Sequence, residues 1–337
     1  MTSRELVNRT LEFRNRDGRV PRQLWTLPWA EIHHPEKLEK LCRDFEWDIV
    51  EPPVTYREAP AVQGDPHVPG EYTDEWGCLF QNLQRGVIGE VKQPLVTGPD
   101  WEDVGNVHIP EEWLTFDRDA VNRFCSGTSK FVLAGACPRP FERLQFIRGT
   151  ASLYMDLVDM PPRMREFIKR MHDFYCRLIT AWAKTDVDAI RFMDDWGAQN
   201  SLLISPQMWE EIFRPLYAEY ISIAKSYGKK TFMHSDGYTL PILPSLIACG
   251  QDAVNAQIFC IGVENLAPLK GKITFWGEID RQNLLPYGTA GDIDRAVDQV
   301  YETLWADGGC IAQCEFGPGA NPDNVYRVFQ RWQEKRP

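Results

Sequence analysis

Three residues near the ends of two predicted strands have the chemistry of metal ligands. His234 and Asp236 come at the end of the strand-like run Lys230–His234, with one residue between them. Because successive side chains of a strand alternate between its faces, the imidazole and the carboxylate are expected on the same side. A second strand-like run ends at Cys314, which offers a thiolate. A His, a carboxylate and a Cys brought together at strand ends form a suitable ligand set for zinc.

A plainer interpretation of His234 and Asp236 is a hydrogen-bonded pair in a polar pocket. The predicted ligands lie far apart in the sequence, and no CxxC or HExxH motif accompanies them. Cys310 shares a strand face with Cys314 but lies deeper, by about 13 Å at ~3.3 Å per residue, so we expect it to be a packed core thiol. The spacing of the ligands therefore leaves both interpretations open.

Other acidic residues also follow predicted strands. Asp194 and Asp195 come after the strand at 189–193, and Glu278 comes after the strand at 273–276. A carboxylic acid whose pKa is raised by burial can deliver a proton, so Asp195 and Glu278 are the predicted catalytic residues. The alternatives are that Asp194 or Asp195 caps a helix or forms a turn, and that Glu278 is a structural partner of Arg281.

Composition excludes several classes of function. The chain has 337 residues and a formal net charge of −11, without a basic stripe, so a nucleic-acid partner is not expected. No run approaches the ~18 apolar residues of a membrane span, and the polar first 22 residues do not resemble a signal peptide. The nine scattered cysteines favour a reducing cytoplasm. The oligomeric state is left open, with a homodimer as one option.

Apolar runs alternate with helical patterns along most of the chain. The predicted strands are Gln23–Leu27, Asp48–Val50, Phe131–Gly135, Ala189–Met193, Lys230–His234, Ala253–Ala256, Ile273–Trp276 and Cys310–Gln313. The predicted helices are Arg4–Arg14, Pro35–Phe45, Pro140–Arg148, Pro161–Lys184, Pro206–Tyr227, Leu240–Cys249, Ile293–Trp305 and Pro322–Glu334. About eight such units predict one α/β domain over residues 1–337, a (β/α)₈ TIM barrel. A doubly wound sheet is the weaker option, since no G-x-G-x-x-G or Walker sequence follows a strand.

The segment from Glu51 to Glu112 interrupts this alternation. It is rich in Pro, Gly and Trp and has weak periodicity. A long irregular insertion in a compact fold usually forms a lid or a binding loop, so we expect it to cover the catalytic mouth. The residues predicted to contact an apolar substrate are Trp25, Trp76, Trp196, Gln199 and Trp276. The alternative for the four tryptophans is packing at the end of the barrel.

From Asp117 to the C-terminus the chain resembles the uroporphyrinogen decarboxylase superfamily, in particular its cobamide-dependent methyltransferase branch. The resemblance rests on Asp194–Gln199, Ile204–Trp209, Tyr227–Gly237, Trp276–Asp280, and Cys314 with Asn324 ten residues later. It implies a TIM barrel with zinc held by a His-x-Cys pair and a distal Cys, matched here by His234 and Cys314. Asp236 stands where the family has the first Cys. Porphyrinogen decarboxylation is not expected, because the segment Arg22–Trp29 carries aromatic residues where those enzymes are rich in arginine.

The exchange of a thiolate for a carboxylate at Asp236 makes a bound zinc a harder Lewis acid, better suited to oxygen than to sulfur. The resulting hypothesis is a corrinoid-dependent O-demethylase component. It would pass a methyl group from a methoxylated, aromatic donor to cob(I)alamin, and the cobamide is expected on a partner corrinoid protein. One alternative is methyl transfer from methylcobamide to a thiol or pterin. A second is a metal-free ligand-binding barrel or a decarboxylase-like protein.

Overall fold

The computed structural model describes residues 1–335 of the chain. Its strands are β1 (Arg22–Thr26), β2 (Ile49–Val50), β3 (Gly70–Thr73), β4 (Leu79–Asn82), β5 (Glu90–Gln93), β6 (Phe131–Val132), β7 (Ala189–Met193), β8 (Lys230–Ser235), β9 (Ala253–Ala256), β10 (Thr274–Trp276) and β11 (Cys310–Phe316). Its α-helices are α1 (Ser3–Leu11), α2 (Pro28–His33), α3 (Pro35–Asp44), α4 (Arg118–Ser126), α5 (Pro140–Arg148), α6 (Thr150–Asp159), α7 (Pro162–Ala183), α8 (Pro206–Met208), α9 (Arg214–Ser226), α10 (Leu243–Cys249), α11 (Ile258–Ile261), α12 (Leu284–Tyr287), α13 (Ala290–Leu304) and α14 (Pro322–Glu334).

Six parallel strands form the main sheet, in the order β1-β11-β10-β9-β8-β7. Strands β2 and β6 pair with each other and lie between the two edges of this sheet. The Asp48 backbone N–H donates to the Arg22 carbonyl at 2.8 Å, and the Ala134 N–H donates to the Ala189 carbonyl at 2.9 Å. The fold is therefore TIM-barrel-like. The predicted (β/α)₈ barrel is confirmed in this coarser form, because a regular hydrogen-bonded ladder joins six of the parallel strands and β2 and β6 form a separate pair.

Each of the eight predicted strands overlaps one of these parallel strands, and the predicted helices Pro140–Arg148 and Pro322–Glu334 match α5 and α14. Proline in the first turn explains both helix starts, because its missing N–H has no partner there in any case. The predicted helix Pro206–Tyr227 is instead divided into α8, a π-helical turn at Trp209–Phe213 and α9. Pro215 lies in the first turn of α9, where a continuous α-helix would require its absent N–H.

The insertion between Glu51 and Glu112 is more regular than the sequence predicts. It contains the antiparallel sheet β3-β4-β5 and the 3₁₀ turns Pro99–Trp101 and Val104–Asn106. The strands of this sheet are short. The two outer strands have exposed residues, such as Gly70 and Glu71 of β3, whereas Phe80 and Asn82 of the central strand β4 are buried. No helix in residues 1–335 combines the length and apolarity that a membrane span requires.

Asp48 is a fully buried carboxylate that joins the beginning of the chain to the strands. It accepts hydrogen bonds from Ser3 Oγ at 2.6 Å, from both terminal nitrogens of Arg19 at 2.6 and 2.7 Å, and from the Arg22 backbone N–H at 2.8 Å. These donors come from α1, from the segment before β1 and from β1 itself. Asp48 therefore holds α1 against the bottom of the barrel.

We expect Asp48→Ala to lower the free energy of unfolding by roughly 3–5 kcal/mol, because it leaves Arg19 without its buried partner. Arg16→Ala is the control, since Arg16 pairs with Asp307 at 3.2 Å on the surface, where such pairs contribute about 0–1 kcal/mol. Unfolding in guanidinium chloride, followed by tryptophan fluorescence, measures both variants. Equal losses for the two variants would contradict a structural role for the buried pair.

Candidate active site

His234 lies near the end of β8 and is held in one orientation by Asn255 of β9. Its Nδ1 lies 2.6 Å from Asn255 Oδ1. The Nδ2 of Asn255 donates to the carbonyl oxygen of Trp276, which can only accept, and to Gln313 Oε1 at 3.2 Å. The amide oxygen must therefore face the imidazole, so Nδ1 carries the proton and the lone pair of Nε2 is free to bind a ligand.

Two carboxylates lie in front of His234 Nε2. Asp195 Oδ1 is 3.6 Å and Asp236 Oδ1 is 3.7 Å from this nitrogen. Asp195 is in turn positioned by the backbone N–H of Asp236, which donates to Asp195 Oδ1 at 3.0 Å. His234 and Asp236 thus share a strand face, as predicted, and Asp195 joins them from the loop after β7.

These three side chains could hold a metal ion. One ligand atom from each residue lies within 4.8 Å of the other two. Four ligands placed tetrahedrally at about 2.0–2.1 Å from zinc are roughly 3.3 Å apart, close to the separations around His234 Nε2. Asp236 Oδ1 is buried and has no hydrogen-bond partner within residues 1–335, so it is a polar atom that a cation would satisfy. The resulting donor set is one imidazole nitrogen and two carboxylate oxygens.

Arg281 supplies the positive charge on the other side of Asp236. Its guanidinium contacts Asp236 Oδ2, donates to Glu315 Oε2 at 2.8 Å, and lies with Nε 3.6 Å from Glu278 Oε1. The contact with Asp236 Oδ2 leaves Oδ1 directed towards His234. Arg281 therefore orients this carboxylate, and its contact with Glu278 agrees with the structural alternative drawn from the sequence.

Glu278 is almost completely buried, with 3% of its surface exposed. Burial raises the pKa of Glu278 to about 8, and the neighbouring Arg281 only partly opposes this shift. At neutral pH the side chain therefore holds a proton that it can donate. Burial also raises the pKa of Asp195.

Asp194 has a structural role, although it adjoins Asp195. Its two oxygens accept from the backbone N–H groups of Phe141 and Glu142, at 2.9 and 2.7 Å, in the first turn of α5. Tyr217 donates to the same carboxylate at 2.7 Å. The alternative of a helix cap therefore holds for Asp194, while Asp195 points to the site.

The structure places Cys314 away from the other predicted ligands. Along β11, Gln313 reaches Asn255 inside the barrel, and Glu315 reaches Arg281 at its mouth. Cys314 lies between them in the sequence, so its side chain points to the opposite face. It is fully buried there with Cys310 in the core that packs against the helices. Burial raises the pKa of the Cys314 thiol well above its usual value. In contrast to the prediction, Cys314 is therefore not among the side chains that converge at His234.

The predicted substrate residues fall into two groups. Trp76, Trp196 and Trp276 have no exposed surface and pack against other aromatic rings, so for them the structure shows the packing alternative. Trp25 is half-buried, with its ring centroid 5.2 Å from that of His234. Gln199 borders a small cavity of about 60 Å³ that Glu278 also lines. Trp25 and Gln199 are therefore the two that flank the site.

A larger cavity, of about 950 Å³, lies between the insertion and α5. It reaches Asp195 on the barrel side, and its other wall includes Tyr56, Tyr72 and Glu75 of the insertion. The segment predicted to cover the mouth thus forms part of a cavity that leads to the possible metal ligands. The residues of the insertion that line this cavity could not be predicted from the sequence, because β3-β4-β5 has no strong sequence pattern.

The pattern D-x-H-x-x-G, associated with corrinoid binding, occurs once, at Asp65–Gly70. These residues lie in the insertion and end at Gly70, the first residue of β3, and the His67 backbone N–H donates to Asp65 Oδ1 at 2.8 Å. A six-residue pattern carries little weight without a matching structural context. The supply of cobamide by a partner protein remains a prediction.

Comparisons with known proteins agree with the architecture. A methyltransferase from Methanosarcina mazei superposes with a TM-score of 0.65 at 14% sequence identity, over 99% of each chain, which supports the fold. No curated protein matches the sequence significantly. A family model described as uroporphyrinogen decarboxylase matches residues 80–334, well over half of the chain. The chain belongs to the uroporphyrinogen decarboxylase family.

Proposed function

We propose that the protein is the demethylating component of a corrinoid-dependent O-demethylase. It would take the methyl group of a methoxylated, aromatic donor and pass it to cob(I)alamin on a partner corrinoid protein. The observation that carries the proposal is the convergence of His234 Nε2 with two carboxylates beside Glu278, a buried acid. The likeness to a protein called a methyltransferase is consistent with it.

The residues proposed to hold zinc are Asp195, His234 and Asp236. Bound there, zinc would act as a Lewis acid towards the ether oxygen. Without a thiolate this ligand set is harder than one containing cysteine and suits oxygen better than sulfur. Asp195, predicted from the sequence as a proton donor, is reassigned here to metal binding. The second candidate, methyl transfer to a thiol, is less well supported by a donor set of nitrogen and oxygen alone.

The proposed reaction breaks the bond between the ether oxygen and the methyl carbon and forms a bond between that carbon and cobalt. The two electrons of the new bond come from cob(I)alamin, and the pair of the broken bond stays on oxygen. Glu278 supplies the proton that converts this oxygen to a hydroxyl group. Arg281 stabilises the Glu278 carboxylate left behind, and the cavity beside Asp195 accommodates the donor.

Metal content tests the ligand assignment. We expect His234→Ala and Asp236→Ala to lose stoichiometric zinc, whereas Cys314→Ala keeps it because its side chain faces the outer core. Asn255→Ala should weaken zinc binding by about 10- to 100-fold, since the imidazole loses the partner that orients it. Inductively coupled plasma mass spectrometry after dialysis gives the metal content. Full zinc content in His234→Ala would overturn the assignment.

The pH dependence of demethylation tests Glu278. A proton donor acts only while protonated, so activity should fall as the pH rises through about 8. Glu278→Gln should lose this alkaline limb and about 10²- to 10⁴-fold in rate. Glu315→Gln is the matched control, because it removes another carboxylate from Arg281 and should retain the limb. An unchanged alkaline limb in Glu278→Gln would exclude Glu278 as the donor.

The ligand at position 236 tests the class of reaction. Asp236→Cys should bind zinc more tightly, because a thiolate is a softer ligand, but should demethylate ethers more slowly, because the metal becomes a weaker Lewis acid. The spectroscopic loss of cob(I)alamin with methoxyaromatic donors measures the rate, and Asp236→Asn serves as the control for the lost contact with Arg281. Unchanged or faster ether cleavage, or activity with thiols alone, would favour the thiol methyltransferase instead.

A further inference from the structure

The large cavity beside Asp195 has an excess of negative charge. Its charged lining consists of Asp74, Glu75, Glu90, Lys92, Arg139, Glu142, Arg143 and Asp195. Every cation in this set has an acidic partner from the same set. Arg143 contacts Asp74, Arg139 donates to Glu142 at 2.9 Å, and Lys92 contacts Glu90. The carboxylates left over are Asp195, which faces His234, and Glu75.

Glu75 has no salt bridge within residues 1–335 and is half-buried on the cavity wall. Its neighbour Asp74 differs in this respect, since Asp74 accepts from the backbone N–H groups of Trp76 and Cys78 and contacts Arg143. Burial raises the pKa of Glu75, and the charge of Arg143, which is paired with Asp74, only partly opposes this shift. A positively charged ligand in the cavity would supply that partner.

Aromatic rings surround the same space. Tyr56, Tyr72 and Trp113 line the cavity and are half-buried, so their rings are accessible from it. The rings of Tyr56 and Tyr72 line the same cavity as Glu75. Burial, and after it the charge of Glu75, raises the pKa of Tyr56, and the same causes raise the pKa of Tyr72 to about 12. Cations bind favourably against the faces of such rings when they are shielded from water.

The two arginines suggest the opposite ligand, a carboxylated donor, but the structure speaks against it. The Arg143 guanidinium contacts buried Asp74 and lies 5.0 Å from the ring centroid of Trp76. Arg139 donates to Glu142. Both positive charges are therefore already neutralised within the protein, whereas Glu75 is not.

We infer that the cavity selects a methyl donor with a positively charged amine or quaternary ammonium group, which binds Glu75 between Tyr56, Tyr72 and Trp113. The inference rests on the proposed function in that it names the class of methyl donor. The methoxy end of such a molecule would lie towards Asp195, at the opposite side of the cavity from the insertion.

Three probes of nearly equal shape test the charge preference. They are 2-(4-methoxyphenyl)ethylamine as the cation, 2-(4-methoxyphenyl)ethanol as the neutral analogue and 4-methoxyphenylacetate as the anion. Isothermal titration with the protein alone should show the amine binding about 10- to 100-fold more tightly than the alcohol, and the carboxylate binding most weakly. Tighter binding of the carboxylate, equal binding of all three probes, or binding of none would overturn the inference.

Variants locate the recognition. Glu75→Gln should reduce the advantage of the amine over the alcohol to about 2-fold or less, and Trp113→Leu should reduce it in part. Glu90→Gln is the matched control, because Glu90 lines the same cavity but is exposed and paired with Lys92, so the advantage should remain. An undiminished advantage in Glu75→Gln would refute the role of this residue. The titrations need neither zinc nor cobamide, so an amine that binds but is not demethylated would refute the proposed function and leave the preference of the cavity for a cation standing.

Discussion

The hydrogen bond between His234 and Asn255 determines what the rest of the site can do. Asn255 has one acceptor oxygen, and its NH₂ group is directed to the carbonyl of Trp276, so only one tautomer of the imidazole satisfies both contacts. The lone pair of Nε2 must then point away from β9, towards Asp195 and Asp236. The orientation of this nitrogen is thus fixed by a chain of contacts across β8, β9 and β10, all of which lie inside the barrel.

The charge balance of the site follows from this arrangement. Arg281 faces Asp236, Glu278 and Glu315, and three ionised carboxylates around one guanidinium in a buried site would repel one another. Burial raises the pKa of the most buried of the three, Glu278, to about 8, and the charges of Asp236 and Glu315 add to this shift. A proton retained on Glu278 relieves the repulsion. The proton that lowers the repulsion among these carboxylates is also the proton that Glu278 donates in the proposed reaction.

The sequence predicts well which residues share one face of a strand. It predicts poorly which face of a strand points into the barrel. His234 and Asp236 lie on one face because two residues of a strand separated by a third must do so. For Cys314 the same rule could not be applied, since the apolar run before it gives no sign of which alternate set faces the barrel interior. Asp194 and Asp195 are adjacent residues of the same type, so the sequence does not show which of them caps a helix. The contact of Asp194 with the first turn of α5 identifies Asp194 as the cap. The burial of Trp76 and Trp196 likewise could not be predicted, because it depends on packing between segments that are far apart in the sequence.

The two halves of the site differ in their relation to the family. The residues proposed to hold the metal lie within residues 80–334, the span of the family match. Of the residues proposed to recognise the donor, Tyr56, Tyr72 and Glu75 precede this span, and only Trp113 lies within it. A barrel provides a rigid frame for the reacting groups, while insertions over its mouth vary in length and lining. The sheet β3-β4-β5 and its flanking loops contribute Glu75, the one cavity carboxylate that, in the part of the chain the structure describes, has no salt bridge and lies outside the proposed metal-binding group. The part of the chain proposed to choose the donor is therefore separate in sequence from the part proposed to transform it, so the choice of donor can change without altering the reacting groups.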